Sequence, residues 1–324
     1  MSRVAVVFTG GTISMEASGA AGGNVPTLDG AAIVARTPGL DAIADIEVID
    51  RGRTPASHFT FPHLFSIADA VRGALDRPDI DGCVVVQGTD TIEETSFFWD
   101  LVVDSPKPAV VTGAMRAASD DGYDGPRNLS DAVRVAASPE ARGAGTVIVM
   151  NRGIGAADRA IKLTSTGLDA FAGLDLGAVE GDTVRLGTRG PRRTVRATTA
   201  AERVHLITAH VAMDGSLVDA AVASGAEGIV VAATGSGNTS VALLDACRAA
   251  MDAGIPVALA SRCAFGGVVP AYAFLGGGVT WLRAGAMSAG ELSAPKARVA
   301  LAVGIGAGLD RATLAPLLAG PSPE

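Results

Sequence analysis

Apolar residues along this chain gather in short β-branched runs that stop at glycine or threonine, and between the runs they recur every three or four positions. Runs at 3–8, 83–86, 109–111 and 146–150 have the composition of strands buried on both faces, as in a parallel sheet. Leu64, Ile67, Ala68, Val71 and Leu75 repeat at helical spacing, and 92–103 predicts an amphipathic helix. Residues 31–36 predict a short helix, 46–49 a further strand, and the polar loop 120–128 leads into a helix ending near 136. The second half repeats the alternation: strands at 204–208, 228–233 and 256–260, with helices at 217–224, 241–253, 295–306 and 312–318. Residues 187–201 mix Gly, Pro and Arg without periodicity, which marks a boundary. The expectation is an N-terminal domain over 1–188, a linker at 189–203 and a C-terminal domain over 204–324. The fold class is α/β: a larger N-terminal parallel-sheet domain with helices on both faces, and a smaller C-terminal α/β domain.

The segment Gln87-Gly88-Thr89-Asp90-Thr91 sits where a strand ends, turns at a glycine and restarts as a helix. Thr91 and Glu94 have capping-box spacing. Phe8-Thr9-Gly10-Gly11-Thr12 and Val111-Thr112-Gly113-Ala114-Met115-Arg116 have the same design. In an open parallel sheet, ligands bind at the carboxyl ends of strands, so three neighbouring strands would bring Thr12, Thr89 and Asp90 to one cleft. Residues 15–28, rich in Gly, Ala and Ser, read as a mobile loop beside that cleft and so as a lid.

Composition narrows the function classes. The 324 residues carry a net charge of -8, which argues against a nucleic-acid surface. The short basic cluster between Arg189 and Arg196 reads as part of a solvated linker. The 3 cysteines and 4 histidines lack metal-ligand spacing, so a metal is not implied. Cys83 and Cys247 lie within predicted elements and read as buried thiols. No apolar run approaches a membrane span and no leader pattern opens the chain, so a cytoplasmic protein away from membranes is expected. Gly235-Ser236-Gly237-Asn238 lacks the Lys that a phosphate loop needs.

A cleft holding two threonines and a carboxylate suits acyl transfer, because a hydroxyl nucleophile needs a base and donors for the oxyanion. Lys162, among apolar and hydroxyl neighbours, is either that base or an ordinary solvated lysine. Ser57 is either a ligand contact or a turn residue. Residue types alone reach an amide or ester hydrolase.

Thr9-Gly10-Gly11-Thr12-Ile13-Ser14 resembles the first signature of the bacterial L-asparaginase family, and Gln87-Gly88-Thr89-Asp90-Thr91-Ile92-Glu93-Glu94-Thr95 its second. Gly113-Ala114-Met115-Arg116, the Asp124-Gly125-Pro126-x-Asn128-Leu129 stretch, Lys162, Ser261-Arg262 and Pro295-Lys296-Ala297-Arg298 follow in the family's order over almost the whole chain. The resemblance implies cofactor-free hydrolysis of L-asparagine to aspartate and ammonia. Thr12 would be the nucleophile, with Thr89, Asp90 and Lys162 as the second half of the catalytic set. Ser57 and Asp90 would hold the substrate's α-carboxylate and α-ammonium, with His58 and Gly88 beside them, and the Ala114 carbonyl would face the leaving amide. The family's homodimers, usually paired into homotetramers, would bring Asn238 from a partner subunit.

The chain also departs from that pattern. The lid tyrosine is replaced by Asn24, the residue after the binding serine is His58, and the distal carboxylate has no counterpart in 266–278. The expectation is that the chemistry survives while substrate preference shifts. A glutaminase, an amidase for modified or D-asparagine, and a noncatalytic asparagine or aspartate sensor stay open as alternatives.

Overall fold

The computed structural model describes residues 1–320. Backbone proximity divides the chain into a first unit, Met1–Thr194, and a second that begins at Val195. Twelve strands build the first: β1 Arg3–Phe8, β2 Met15–Ser18, β3 Gly23–Pro26, β4 Asp45–Asp50, β5 Gly82–Val86, β6 Ala109–Thr112, β7 Thr146–Met150, β8 Gly153–Ala156, β9 Ile161–Lys162, β10 Phe171–Ala172, β11 Gly177–Glu180 and β12 Thr183–Leu186. Its helices are α1 Gly30–Ala35, α2 Leu40–Ile43, α3 Phe61–Leu75, α4 Ile92–Val102 and α5 Gly125–Ala137.

Eight strands form one sheet in the order β12-β11-β8-β7-β6-β5-β1-β4. From β4 to β7 the neighbours are parallel, whereas β8, β11 and β12 add antiparallel at the far edge. The valines explain the parallel part. Alternate residues of a strand face opposite sides, and here both sides are covered. Val4, Val6, Val84 and Val86 share a core with Leu129 and Val133 of α5, while α3 and α4 pack on β5, β1, β6 and β7. The antiparallel edge follows from the tight turn at Asn151 (φ 45°) and Arg152 (φ 70°), both left-handed, as a two-residue hairpin requires.

The stretch expected as an irregular mobile loop is instead the hairpin β2–β3, with Ala17 opposite Asn24 and Met15 opposite Pro26. Its sequence shows little β propensity, and part of its pairing partner set comes from residues about a hundred positions away. The Ala118 N–H donates to the Met15 carbonyl at 2.8 Å and the Ala17 N–H to Ser119 Oγ at 3.0 Å.

The second unit has strands β13 Val204–Thr208, β14 Gly228–Ala233, β15 Val257–Ser261 and β16 Met287–Ser293 in one parallel sheet of that order. Helices α6 Ser216–Ala223, α7 Val241–Asp252, α8 Gly278–Ala284, α9 Ala294–Gly306 and α10 Arg311–Ala319 complete it. The basic cluster between Arg189 and Arg196, expected to be solvated, is buried in part. Arg189 and Arg192 are buried against Asp100 of α4, and further on the Ala201 N–H donates to the Ala302 carbonyl of α9 at 2.9 Å. Guanidinium groups with a buried carboxylate to meet need not stay in water, and a sequence cannot show that Asp100 lies there. No helix among the described residues is long and apolar enough to cross a membrane.

Candidate active site

The three signature turns lie side by side at the carboxyl ends of β1, β5 and β6, which are direct neighbours in the sheet. Glycine makes the approach possible. A Cβ on Gly11 would lie 2.2 Å from the Gly88 nitrogen, and one on Gly113 would lie 2.5 Å from the Gln87 carbonyl oxygen. Gly10 and Gly11 also have φ of 104° and 96°, a region costly for any other residue. Thr12 and Thr89 are therefore each one residue beyond a point where two backbones touch. Gly11→Ala is expected to force these turns apart and lower the turnover number by roughly 100-fold, since displacements near 1 Å cost about that much. Steady-state ammonia release by the folded variant is the check.

Each turn has its own lock. Ser14 donates its N–H and its Oγ to the Gly11 carbonyl at 2.9 and 2.7 Å, closing a 3-10 turn over Thr12–Ser14. Gln87 is fully buried beneath the second turn, accepting from Thr95 Oγ1 at 3.0 Å and donating to the Gly88 carbonyl at 3.1 Å. Thr91 does not form the capping box expected of it; its hydroxyl donates to the Ala56 carbonyl at 3.3 Å. That bond ties the turn of Thr89 to the 3-10 turn Ala56–His58, which presents Ser57 and His58 to solvent beside Gly88.

Two buried residues fix the third turn. The Asp124 carboxylate accepts from the Met115 and Arg116 N–H groups at 3.0–3.1 Å, and Asn128 Nδ2 donates to the Gly113 carbonyl at 3.0 Å and to Asp124 at 2.9 Å. Ala114, fully buried, is held between them. Their roles were missed in the sequence, although spacing of four residues at a helix start signals a shared face.

Lys162 stands on β9, a two-residue strand paired with β10. Its Nζ lies 2.9 Å from Thr89 Oγ1 and 2.7 Å from Asp90 Oδ1, which puts a hydroxyl, an amine and a carboxylate in one chain of contacts. The amine is 12% exposed as a side chain, whereas Asp90 is 79% exposed. So Lys162 is not the ordinary solvated lysine, and Asp90 keeps carboxylate surface free for a cation. Asn24, on β3, is exposed. Asn238 belongs to the second unit, in the turn Thr234–Asn238 after β14, and its Oδ1 is buried without a hydrogen-bond partner. Among the described residues no cluster of metal-ligating side chains occurs.

The arrangement places an amine within hydrogen-bond distance of the Thr89 hydroxyl, on the strand end next to the turn that carries Thr12. Comparison with known proteins gives the lineage. The asparaginase N-terminal model matches residues 3–192, and the glutaminase/asparaginase C-terminal domain model matches residues 203–318. The chain belongs to the asparaginase family. A probable L-asparaginase of Deinococcus radiodurans is 35% identical over 321 residues, covering 96% of this chain and 95% of the relative. An L-asparaginase of Bacillus licheniformis is 30% identical over 305 residues, with 93% and 94% covered. The crystal structure of a probable cytoplasmic L-asparaginase from Campylobacter jejuni matches with a TM-score of 0.87 at 27% identity, over 98% of this chain and 99% of that one. Membership of the asparaginase family accounts for the strand order and for the two-unit layout together.

Proposed function

We propose that the protein is an L-asparagine amidohydrolase working through a threonine nucleophile, releasing aspartate and ammonia. The contact of Lys162 with both Thr89 and Asp90 carries this reading. Thr12 Oγ attacks the side-chain amide carbon, ammonia leaves with the proton supplied from the site, and the resulting ester is hydrolysed by water to aspartate. Thr89, Lys162 and Asp90 form a relay that moves the proton, since a base must lie within hydrogen-bond reach of the hydroxyl it serves. The free surface of Asp90 takes the α-ammonium and the exposed Ser57 takes the α-carboxylate, with His58 and Gly88 bordering that end. The Ala114 carbonyl accepts from the departing amide nitrogen.

The site is completed in a homodimer, itself able to pair into a tetramer. Asn238 of the second unit is the residue that the resemblance assigns to a partner's site, and the surface of that unit supports the pairing: Phe265, Tyr272, Phe274 and Leu275 are each more than half exposed. Large apolar groups gathered on one exposed loop mark an interaction surface, and the occupant is a second copy of this chain. The cytoplasm is the proposed location, as the Campylobacter jejuni relative is described.

The test is ammonia release from L-asparagine, L-glutamine and D-asparagine by the purified protein, with Thr12→Ala and Thr89→Val alongside. The expected result is preferred turnover of L-asparagine and a loss of roughly 10³-fold or more in each variant. A Thr12→Ala protein with wild-type turnover would remove Thr12 as nucleophile. Faster release from L-glutamine or D-asparagine would reassign the substrate and implicate His58.

A further inference from the structure

The loop between β6 and α5 does more than carry Ala114. It meets the segment following Thr12 at every second residue. The Tyr123 hydroxyl donates to the Ile13 carbonyl at 2.8 Å, the Ala118 N–H to the Met15 carbonyl at 2.8 Å, and Ser119 Oγ accepts from the Ala17 N–H at 3.0 Å. Met15 and Ala17 lie on the extended strand β2, where alternate residues share an edge, and Ile13 lies in the 3-10 turn that leads into it. The loop thus lies along the start of the hairpin as a splint, and Tyr123 makes the contact nearest to Thr12.

The seat of the Tyr123 ring is built for it. A Cβ at Gly125 would stand 2.4 Å from its hydroxyl oxygen, so that close approach requires glycine. Ile13, whose carbonyl receives the bond, is itself fully buried in the core of the first unit. The chain has 2 tyrosines, the other being the exposed Tyr272 of the second unit, and the hairpin carries none.

We propose that Tyr123 is a positioning residue for the reaction: its hydroxyl fixes the Ile13 peptide and through it the direction of the adjoining Thr12 side chain. This rests on the reading of Thr12 as nucleophile. The Ser14 bonds to the Gly11 carbonyl set the shape of the Thr12 turn; the Tyr123 bond sets where that turn sits relative to the loop of Ala114. Burial, with the charge of Asp124 adding to it, pushes the phenol above its ordinary range and so favours the protonated donor. With that hydroxyl donated to the Ile13 carbonyl, Tyr123 is placed as a positioning group and not as the base for Thr12. It acts on how well the nucleophile is aimed, a matter in which displacements near 1 Å cost about 100-fold. Its effect falls on formation of the acyl-enzyme, because the water that resolves the ester is served by the Thr89 turn.

The test uses the full-length Tyr123→Phe protein, which keeps the ring and loses one donor. The expected result is kcat lower by roughly 10- to 100-fold, KM within about threefold, and Tm within about 3 °C. With hydroxylamine competing against water, the ratio of aspartyl hydroxamate to aspartate stays at the wild-type value, since both products arise from the same acyl-enzyme. Ser119→Ala, which removes the splint contact farthest from Thr12, leaves kcat within about twofold. Wild-type kcat in Tyr123→Phe overturns the proposal, as does an equal loss in Ser119→Ala or a fall in Tm with unchanged kcat per folded molecule. Thr12→Ala, measured in parallel, separates the two levels. If it retains turnover, the nucleophile reading has failed; if it is inactive while Tyr123→Phe is normal, only the positioning role has.

Discussion

Lys162→Met lowers the turnover number on L-asparagine by roughly 10³-fold while the melting temperature stays within about 3 °C. Nζ bridges Thr89 Oγ1 at 2.9 Å and Asp90 Oδ1 at 2.7 Å, so its removal cuts the one amine out of the proposed proton relay. Methionine fills nearly the same volume and packs adaptably, which keeps β9 and its pairing with β10 in place. The carboxylate left behind does not become a buried charge. Asp90 is 79% exposed as a side chain and is solvated once its partner is gone, so little stability depends on the pair. KM rises far less than kcat falls, because Asp90 and Ser57, the groups assigned to the substrate's α-substituents, are untouched. The paired measurement is steady-state ammonia release and a thermal melt on one preparation. Turnover within tenfold of wild type would exclude the lysine from proton transfer and leave it a tether for the Thr89 turn.

The parts of this molecule that could be read from the sequence are those whose cause is local. β1, β5 and β6 are runs of Val and Ala that end in Gly or Thr, and a strand followed by such a turn is spelled out within ten residues. Placing Thr12, Thr89 and Asp90 at neighbouring strand ends needed only the parallel arrangement that such runs impose. The parts that stayed hidden depend on partners far along the chain. The hairpin β2–β3 reads as loose because its residues are small, yet Ala118 and Ser119 pair with it across more than a hundred positions. Thr91 has the spacing of a cap and spends its hydroxyl on Ala56 instead. Tyr123 looks like one more residue of a polar loop until its hydroxyl is seen on Ile13. β8, β11 and β12 are only four residues each, β11 and β12 partly exposed and β8 half glycine, with no apolar run to announce them.

Asp100→Ala tests the largest of these hidden arrangements, and the expected cost is about 3–5 kcal/mol, the usual result of stripping one partner from a buried ion pair. For a domain of this size that is a fall in Tm of roughly 10 °C. Asp100 is 3% exposed as a side chain and receives Arg189 through both terminal nitrogens, at 2.9 and 2.6 Å, as well as Arg192 Nε at 3.1 Å and the Thr146 N–H at 2.9 Å. Burial works against the Arg189 charge, but Asp100 and Asp158 more than offset it and hold the guanidinium above its ordinary value. With alanine in place, Arg189 keeps only Asp158 and carbonyl oxygens, and Arg192 keeps the carbonyls of residues 100 and 103. Two guanidinium groups then stand in a site 7% and 13% exposed with their shared counter-charge gone. Adding Arg189→Met separates this cause from simple loss of contacts. In the Asp100→Ala background the second substitution costs less than it does alone, since it removes a charge that has already lost one of its two carboxylate partners. Strictly additive losses, or a single-variant cost below about 1 kcal/mol, would mean that the basic cluster is solvated after all, as short runs of charge usually are.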